Sequence, residues 1–248
     1  MSRSPGAGAG GSGIGTKLRF LAPNAVTAAN ISAGFCSLLA AAQGRYEFSV
    51  YLLVVAIVLD LCDGRIARLL GATSRFGQQL DSFSDALSSG AAPAFLVYRA
   101  LLEPLGAWGV AVSLAYLLAG VGRLARFNLT TDAHTKAHRT VGLPIPVASG
   151  YMLALVLMRE HIATPIAVLV VLALAGLMVS RLALPEFRSS GLLGVAFLIG
   201  IATYLAVVLR PSWTTVAVWN GWNVVILLVA LRGRAGSPGV EDVATAGA

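Results

Sequence analysis

The chain has 248 residues, of which 57% are hydrophobic and 12% are charged, and its formal net charge is +7. A soluble domain has about twice this share of charged residues, and disordered chains are poor in apolar residues, so both classes are excluded. Two cysteines, both in apolar runs, also exclude a disulfide-stapled fold. The composition predicts an all-α, polytopic membrane protein, in which a positive net charge indicates basic cytoplasmic loops rather than nucleic-acid binding.

Eight apolar stretches follow one another along the chain and predict about eight transmembrane helices. They lie near residues 23–43, 46–71, 77–102, 107–129, 144–160, 163–183, 191–209 and 213–231. The fifth is short, and Pro144 and Pro146 predict a sharp beginning for its helix. We expect one transmembrane domain over residues 17–232, with flexible tails at 1–16 and 233–248.

The distribution of basic residues predicts the orientation of these helices. With an even number of spans, fourteen of the 18 Lys and Arg residues fall on the side that also holds both termini. Positive residues concentrate in cytoplasmic loops, so both termini are predicted to lie in the cytoplasm. Four tryptophans near the ends of predicted spans are interpreted as interfacial anchors: Trp108, Trp213, Trp219 and Trp222.

Four aspartates lie close together in the sequence, at the ends of the second and third stretches. Asp60 and Asp63 are three residues apart and Asp81 and Asp85 are four apart, so each pair shares one helix face. An acid at membrane depth costs at least about 2.5 kcal/mol and is usually functional. Two helices joined by a short turn would bring the pairs together. Two Mg²⁺ or Mn²⁺ ions, which prefer oxygen ligands, would compensate the charge and bind phosphates.

The residues around these aspartates follow a family signature. With x for any residue and eight residues between its halves, it reads Asp60-x-x-Asp63-Gly64-x-x-Ala67-Arg68 and Gly77-x-x-x-Asp81-x-x-x-Asp85. This segment resembles the signature of the CDP-alcohol phosphotransferases, membrane enzymes in which an alcohol attacks the phosphatidyl phosphorus of a CDP-linked lipid and CMP leaves. The resemblance implies a helical catalytic core over about residues 21–150, a homodimer and a site that opens to the cytoplasm.

The resemblance also implies roles for the matching residues. Asp60, Asp63 and Asp81, with a contribution from Asp85, would bind the divalent metal, and Asp85 would accept the proton of the attacking hydroxyl. The residues that would contact the CDP-lipid are Pro23, Asn24, Thr27, Asp60, Gly64, Ala67, Arg68, Ser74 and Gly77. General chemistry agrees with these roles, because metals stabilise a leaving phosphate and a carboxylate within reach can deprotonate a hydroxyl.

Residues 81–85, 90–94, 123–128 and 142–146 are similar to the branch of this family found as integral membrane proteins in bacteria, with departures at Ser89 and Ile145. That branch transfers the phosphatidyl group of CDP-diacylglycerol to L-serine. The similarity implies that Arg123, Arg126 and Asn128 bind the acceptor. The two arginines share a helix face, so one guanidinium could bind the serine carboxylate bidentately, or both could extend to lipid phosphates.

Two alternatives remain. Another member of the family could use glycerol 3-phosphate or inositol phosphate, although a phosphorylated acceptor would require a larger basic cluster. A cation transporter could use the four acids as its ion site, but the sequence has no second copy of the acidic pattern, which repeat-built transporters would show. His134 and His138 have a metal-binding spacing without a third ligand, so we interpret them as solvated loop residues.

Overall fold

A computed structural model describes residues 12–71, 74–132, 142–180 and 192–232. Its description of side chains leaves out residues 12–22, 68, 130–132, 192–198 and 226–232. All regular secondary structure in these ranges is helical, which confirms the prediction of an all-α protein.

Nine α-helices lie in the described ranges. They are α1 (Ser12–Ala42), α2 (Tyr46–Leu69), α3 (Arg75–Asp85), α4 (Ala92–Val97), α5 (Ala107–Asp132), α6 (Ile145–Leu157), α7 (Thr164–Val179), α8 (Leu192–Leu209) and α9 (Trp213–Arg232). A π-helical turn, Ala86–Ala91, joins α3 to α4, and a second one, Tyr98–Leu102, follows α4, so that Arg75–Leu102 forms one continuous rod, the third along the chain. Each predicted stretch therefore corresponds to one helical rod. α1 begins at Ser12, inside the predicted N-terminal tail, and Pro144 caps α6.

Two segments in the described part are long and apolar enough to cross a membrane, Pro23–Ala42 of α1 and Ala107–Leu129 of α5. α2 carries acidic and basic residues near its ends, and α6 and α7 are short, with 13 and 16 residues. Length and hydropathy therefore do not establish eight transmembrane helices, and that number stays a prediction. Large apolar side chains face outward on several helices, as a lipid-facing surface requires: among them are Phe35, Leu39, Tyr51, Val55, Leu114, Leu118, Ile166 and Leu169.

The main core lies where the third rod packs against α1, α5 and α6. Leu96, Tyr116, Ile145 and Met152 are fully buried there. Because this rod carries Asp81 and Asp85 at its beginning, the core fixes one half of the predicted acidic site.

α8 and α9 pack against α6 through a second, smaller cluster. Trp219 of α9 is 6% exposed, and its ring centroid lies 4.5 Å from that of Tyr151 and 5.3 Å from that of Tyr204. Trp108 and Trp213 are exposed, as interfacial anchors would be. The interpretation as an anchor is wrong for Trp219, because its ring fills the space between α6 and α8.

The C-terminal end of α7 is bound by two other parts of the chain. The Leu143 backbone N–H donates to the Leu177 carbonyl oxygen at 3.1 Å. The Arg126 guanidinium donates to the carbonyl oxygens of Met178 and Val179 at 3.1 and 3.3 Å. Carbonyls in the last turn of a helix have no partner within it, so these bonds satisfy them and join α5, α6 and α7.

Gly142→Ala should destabilise the protein by about 1–3 kcal/mol, because an L-residue is strained in the left-handed conformation of Gly142, φ +81°. A β-carbon at this position would also overlap the Met178 carbonyl oxygen. Thermal unfolding in detergent checks this, with Gly176→Ala on α7 as the matched control, since a β-carbon at Gly176 meets nothing within 4 Å. Equal unfolding temperatures for the two variants would contradict the assigned role of Gly142.

Candidate active site

Three of the four predicted aspartates converge at one end of the helices. Asp60 and Asp63 on α2 and Asp81 on α3 each offer one carboxylate oxygen, and these oxygens lie within 4.8 Å of one another. Ser74 fixes the beginning of α3, because its Oγ accepts the Gly77 backbone N–H at 3.0 Å. The short connection between α2 and α3 thus brings the two acidic pairs together.

Asp85 lies one helical turn beyond Asp81, beside the other acids. Its carboxyl contacts that of Asp60 and lies within electrostatic range of the Arg123 guanidinium. Asp85 Oδ1 is buried and has no hydrogen-bond partner among the described residues. Two carboxylates in contact either share a proton or require a cation beside them to remain ionised together.

This donor set fits a hard divalent cation. Carboxylate oxygens are the protein ligands that Mg²⁺ and Mn²⁺ prefer, and three of them lie close enough together for a common ion. The buried Asp85 oxygen without a donor is a further acceptor that a cation would satisfy. Asp60, Asp63, Asp81 and Asp85 could therefore hold the metal.

α1 supplies polar side chains that bind the acids of α2. Thr27 Oγ1 lies 2.8 Å from Asp63 Oδ2, and Asn30 Nδ2 donates to Asp60 Oδ1 at 3.4 Å. Thr27 and Asn30 are 4% and 0% exposed, and they lie three residues apart on one helix face. The sequence interpretation included Thr27 but missed Asn30. The signal was available, because Asn30 is a polar residue one turn after Thr27 in an apolar helix.

The residues predicted to contact the CDP-lipid lie on α1, α2 and the beginning of α3, the helices that contact or carry the aspartates. A β-carbon at Gly77 would lie 3.2 Å from Ser74 Oγ and 3.7 Å from Asn24 Oδ1, so α1 and α3 approach closely there. Pro23 is buried at the same end of α1, and its carbonyl oxygen lies 3.1 Å from Thr27 Oγ1.

On α2, Gly64 is exposed, and a β-carbon there would meet nothing within 4 Å. Packing within the described residues therefore does not require a glycine at position 64. The absence of a side chain there leaves space beside Asp63. Ala67 is half-buried one turn further along. The Arg68 side chain lies outside the described part of the structure, as do His134 and His138.

The three residues predicted to bind the acceptor have different surroundings. Arg123 is 8% exposed, lies within electrostatic range of Asp85, and has an Nε without a hydrogen-bond partner among the described residues. Arg126 donates to the end of α7 instead. Asn128 Nδ2 donates to Ser82 Oγ at 3.0 Å, and the Ser82 hydroxyl lies 3.3 Å from Asn128 Oδ1. Arg126 and Asn128 thus have partners that join α5 to α7 and α3, and Arg123 is the one of the three placed beside the acids.

The sequence of this chain is similar to a known protein family and to several individual proteins. The family model for CDP-alcohol phosphatidyltransferases matches residues 20–182, a range that contains every site residue described above. A CDP-diacylglycerol–serine O-phosphatidyltransferase of Helicobacter pylori is 33% identical over 175 residues, which is 68% of this chain and 73% of that protein. Its namesake in Mycobacterium leprae is 37% identical over 141 residues, covering 55% of this chain and 47% of that protein.

The namesake in Bacillus subtilis is 31% identical over 166 residues, which is 67% of this chain and 90% of that protein. These matches confirm the family prediction made from the acidic signature. The chain belongs to the CDP-alcohol phosphatidyltransferase family.

Proposed function

We propose that this chain transfers the phosphatidyl group of CDP-diacylglycerol to the hydroxyl of L-serine, giving phosphatidylserine and CMP. The observation that carries the proposal is the convergence of Asp60, Asp63 and Asp81 beside Asp85 within the family-matched region. The names of the relatives in Helicobacter, Mycobacterium and Bacillus support serine as the acceptor.

The residues of the site suit a direct displacement at phosphorus. The serine oxygen forms the new bond to phosphorus, the bond to the CMP oxygen breaks, and the hydroxyl proton passes to the Asp85 carboxylate. Asp60, Asp63, Asp81 and Asp85 would hold a divalent metal, which would neutralise charge on the diphosphate and the departing CMP. Thr27 and Asn30 fix the orientation of Asp63 and Asp60.

Arg123 is the residue that we propose for binding the serine carboxylate. It is a buried guanidinium beside Asp85, and a planar guanidinium binds a carboxylate through two parallel hydrogen bonds. This position would place the serine hydroxyl near the proton acceptor. Arg126 and Asn128 support the site by holding α5 against α7 and α3.

Arg123→Lys should raise the KM for serine about tenfold, because lysine keeps the charge but loses the two-pronged hydrogen bond. The KM for CDP-diacylglycerol should change little. Steady-state CMP release at varied serine concentration measures both constants. Arg126→Lys is the matched control and should leave the serine KM near its wild-type value. An equal rise in both variants would contradict the assignment of the carboxylate to Arg123.

The acceptor itself is tested with purified protein and CDP-diacylglycerol. We expect CMP release with L-serine, and only background release with glycerol 3-phosphate or inositol phosphate. Release only with a phosphorylated acceptor would overturn the serine assignment. Ion flux through reconstituted vesicles without any CMP release would instead support the transporter alternative.

The proposal includes an integral position in the cytoplasmic membrane, with the site and both termini on the cytoplasmic side. The acids lie at the same end of the helices as Arg65 and Arg75, and positive residues mark the cytoplasmic side. Cys62 is exposed next to Asp63, so a membrane-impermeant maleimide should label it in Cys36→Ser protein from the cytoplasmic side alone. Labelling from the opposite side would show that the proposed orientation is wrong.

The proposal also includes eight transmembrane spans and a homodimer.

A further inference from the structure

The third rod does not continue as a regular α-helix beyond Asp85. A π-helical turn covers Ala86–Ala91 and directly follows the residue to which the proposed function assigns the proton. A π turn contains more residues than an α turn, so the side chains on its two sides are rotated relative to an unbroken α-helix, and such turns often occur at functional sites. The direction of the Asp85 carboxyl therefore depends on how this π turn is held.

Close packing holds the π turn from two sides. Ser88, Ser89 and Gly90 are all buried. A β-carbon at Gly34 of α1 would lie 3.2 Å from Ser88 Cα, and one at Gly90 would lie 3.3 Å from Leu117 Cδ1 of α5. These small residues allow α1 and α5 to approach the turn, and they leave little space in which it could shift.

Tyr116 of α5 makes a directional contact with the same turn. Its side chain is fully buried, and its hydroxyl donates to the Ser89 carbonyl oxygen at 3.0 Å. A buried carbonyl without a donor is costly, so this hydroxyl stabilises one particular position of the Ser89 backbone. Tyr116 also precedes Arg123 by seven residues, about two helical turns. One side of α5 therefore contacts Ser89 and also carries Arg123, which lies within electrostatic range of Asp85.

We propose that Tyr116 is a positioning residue for Asp85. Its hydroxyl holds the π turn through the Ser89 carbonyl and thereby keeps the Asp85 carboxyl against Asp60 and near Arg123. The tyrosine ring fills the core, whereas its hydroxyl makes the hydrogen bond that fixes the Ser89 backbone within the packed turn. The effect on turnover rests on the proposed function, but the effect on the backbone of the turn does not.

The test compares Tyr116→Phe with Tyr204→Phe. The first variant keeps the ring and should lower kcat for CMP release about fivefold, the equivalent of one buried hydrogen bond, with both KM values near wild type. Amide hydrogen exchange of residues 86–91 should be faster in the same protein. Tyr204 has a buried hydroxyl without a partner among the described residues, so Tyr204→Phe should match wild type in both measurements.

A second variant disturbs the π turn from the opposite side. Gly34→Ala adds a methyl group against Ser88 and should also lower kcat and speed exchange of residues 86–91. If Tyr116→Phe does not fold, kcat in Gly34→Ala decides, and an unchanged kcat overturns the proposal. Wild-type kcat in Tyr116→Phe overturns it as well, whatever the exchange shows. If wild-type protein releases no CMP, the proposed function fails, and exchange in Tyr116→Phe still decides whether the hydroxyl holds the turn.

Discussion

Asp85→Asn should reduce the rate of CMP release at least about 100-fold, the lower part of the range for general base catalysis. Asparagine has nearly the shape of aspartate but cannot accept the hydroxyl proton. The fold should persist, because an amide at this position can donate a hydrogen bond to the neighbouring Asp60 carboxyl. Initial rates with saturating L-serine, CDP-diacylglycerol and divalent metal measure the effect.

The control for this variant is Glu160→Gln, which neutralises an acid that is 79% exposed in the turn after α6, outside the acidic cluster. It should retain the wild-type rate and the wild-type unfolding temperature. A rate for Asp85→Asn close to that of the control would remove Asp85 from the proton transfer. In that case the hydroxyl proton would have to pass to another group at the site.

Removing the divalent metal should abolish CMP release, and adding back Mg²⁺ or Mn²⁺ should restore it. Asp60→Asn should lower the rate at least about 100-fold at saturating metal, since a catalytic metal supplies several kcal/mol of charge stabilisation and each 1.36 kcal/mol is tenfold in rate. Asp60 is the most informative aspartate to replace, because it contacts Asp85 and also belongs to the cluster with Asp63 and Asp81. Binding of Mn²⁺, followed by electron paramagnetic resonance, reports on the site without turnover.

A smaller loss of Mn²⁺ affinity is expected when the hydrogen bond from α1 to Asp60 is removed. Asn30→Ala leaves all four acids in place and removes one donor to Asp60, so Mn²⁺ affinity should fall about 10- to 100-fold, less than in Asp60→Asn. Full turnover after exhaustive chelation would contradict a metal role for the cluster. Unchanged Mn²⁺ binding in Asp60→Asn would contradict the ligand assignment even if turnover fell.

The two arginines of α5 illustrate how a shared helix face can carry different roles. Arg123 and Arg126 lie three residues apart, and the sequence suggested the same acceptor for both. In the structure Arg126 is close enough to the end of α7 to bind its carbonyls, whereas Arg123 lies within electrostatic range of Asp85. The difference depends on α7, which is far from both residues in the sequence.

The sequence by itself determined the helical class, the positions of the helical rods and the identity of the acidic residues. Long apolar stretches separated by charged or Gly- and Pro-containing connections delimit helices without reference to their neighbours. Aspartates in such stretches are costly enough that four of them in one ordered pattern already indicate a metal and phosphate site. The spacing of Asp60, Asp63, Asp81 and Asp85 also predicted that the two pairs would meet, as they do.

Only the tertiary structure decided which side chains work together. The apolar residues of α6, α7 and α9 are spread around each helix and do not form one stripe, so their sequences do not show which face is buried, and Trp219 proved to be a core residue. The π turn after Asp85 and the bond from Tyr116 to Ser89 depend on the packing of α1, α5 and α6, which no local pattern encodes. The aspartates of the site lie close together in the sequence and can be recognised there. The positions of their side chains relative to one another and to Arg123 depend on contacts between helices that are distant in the chain.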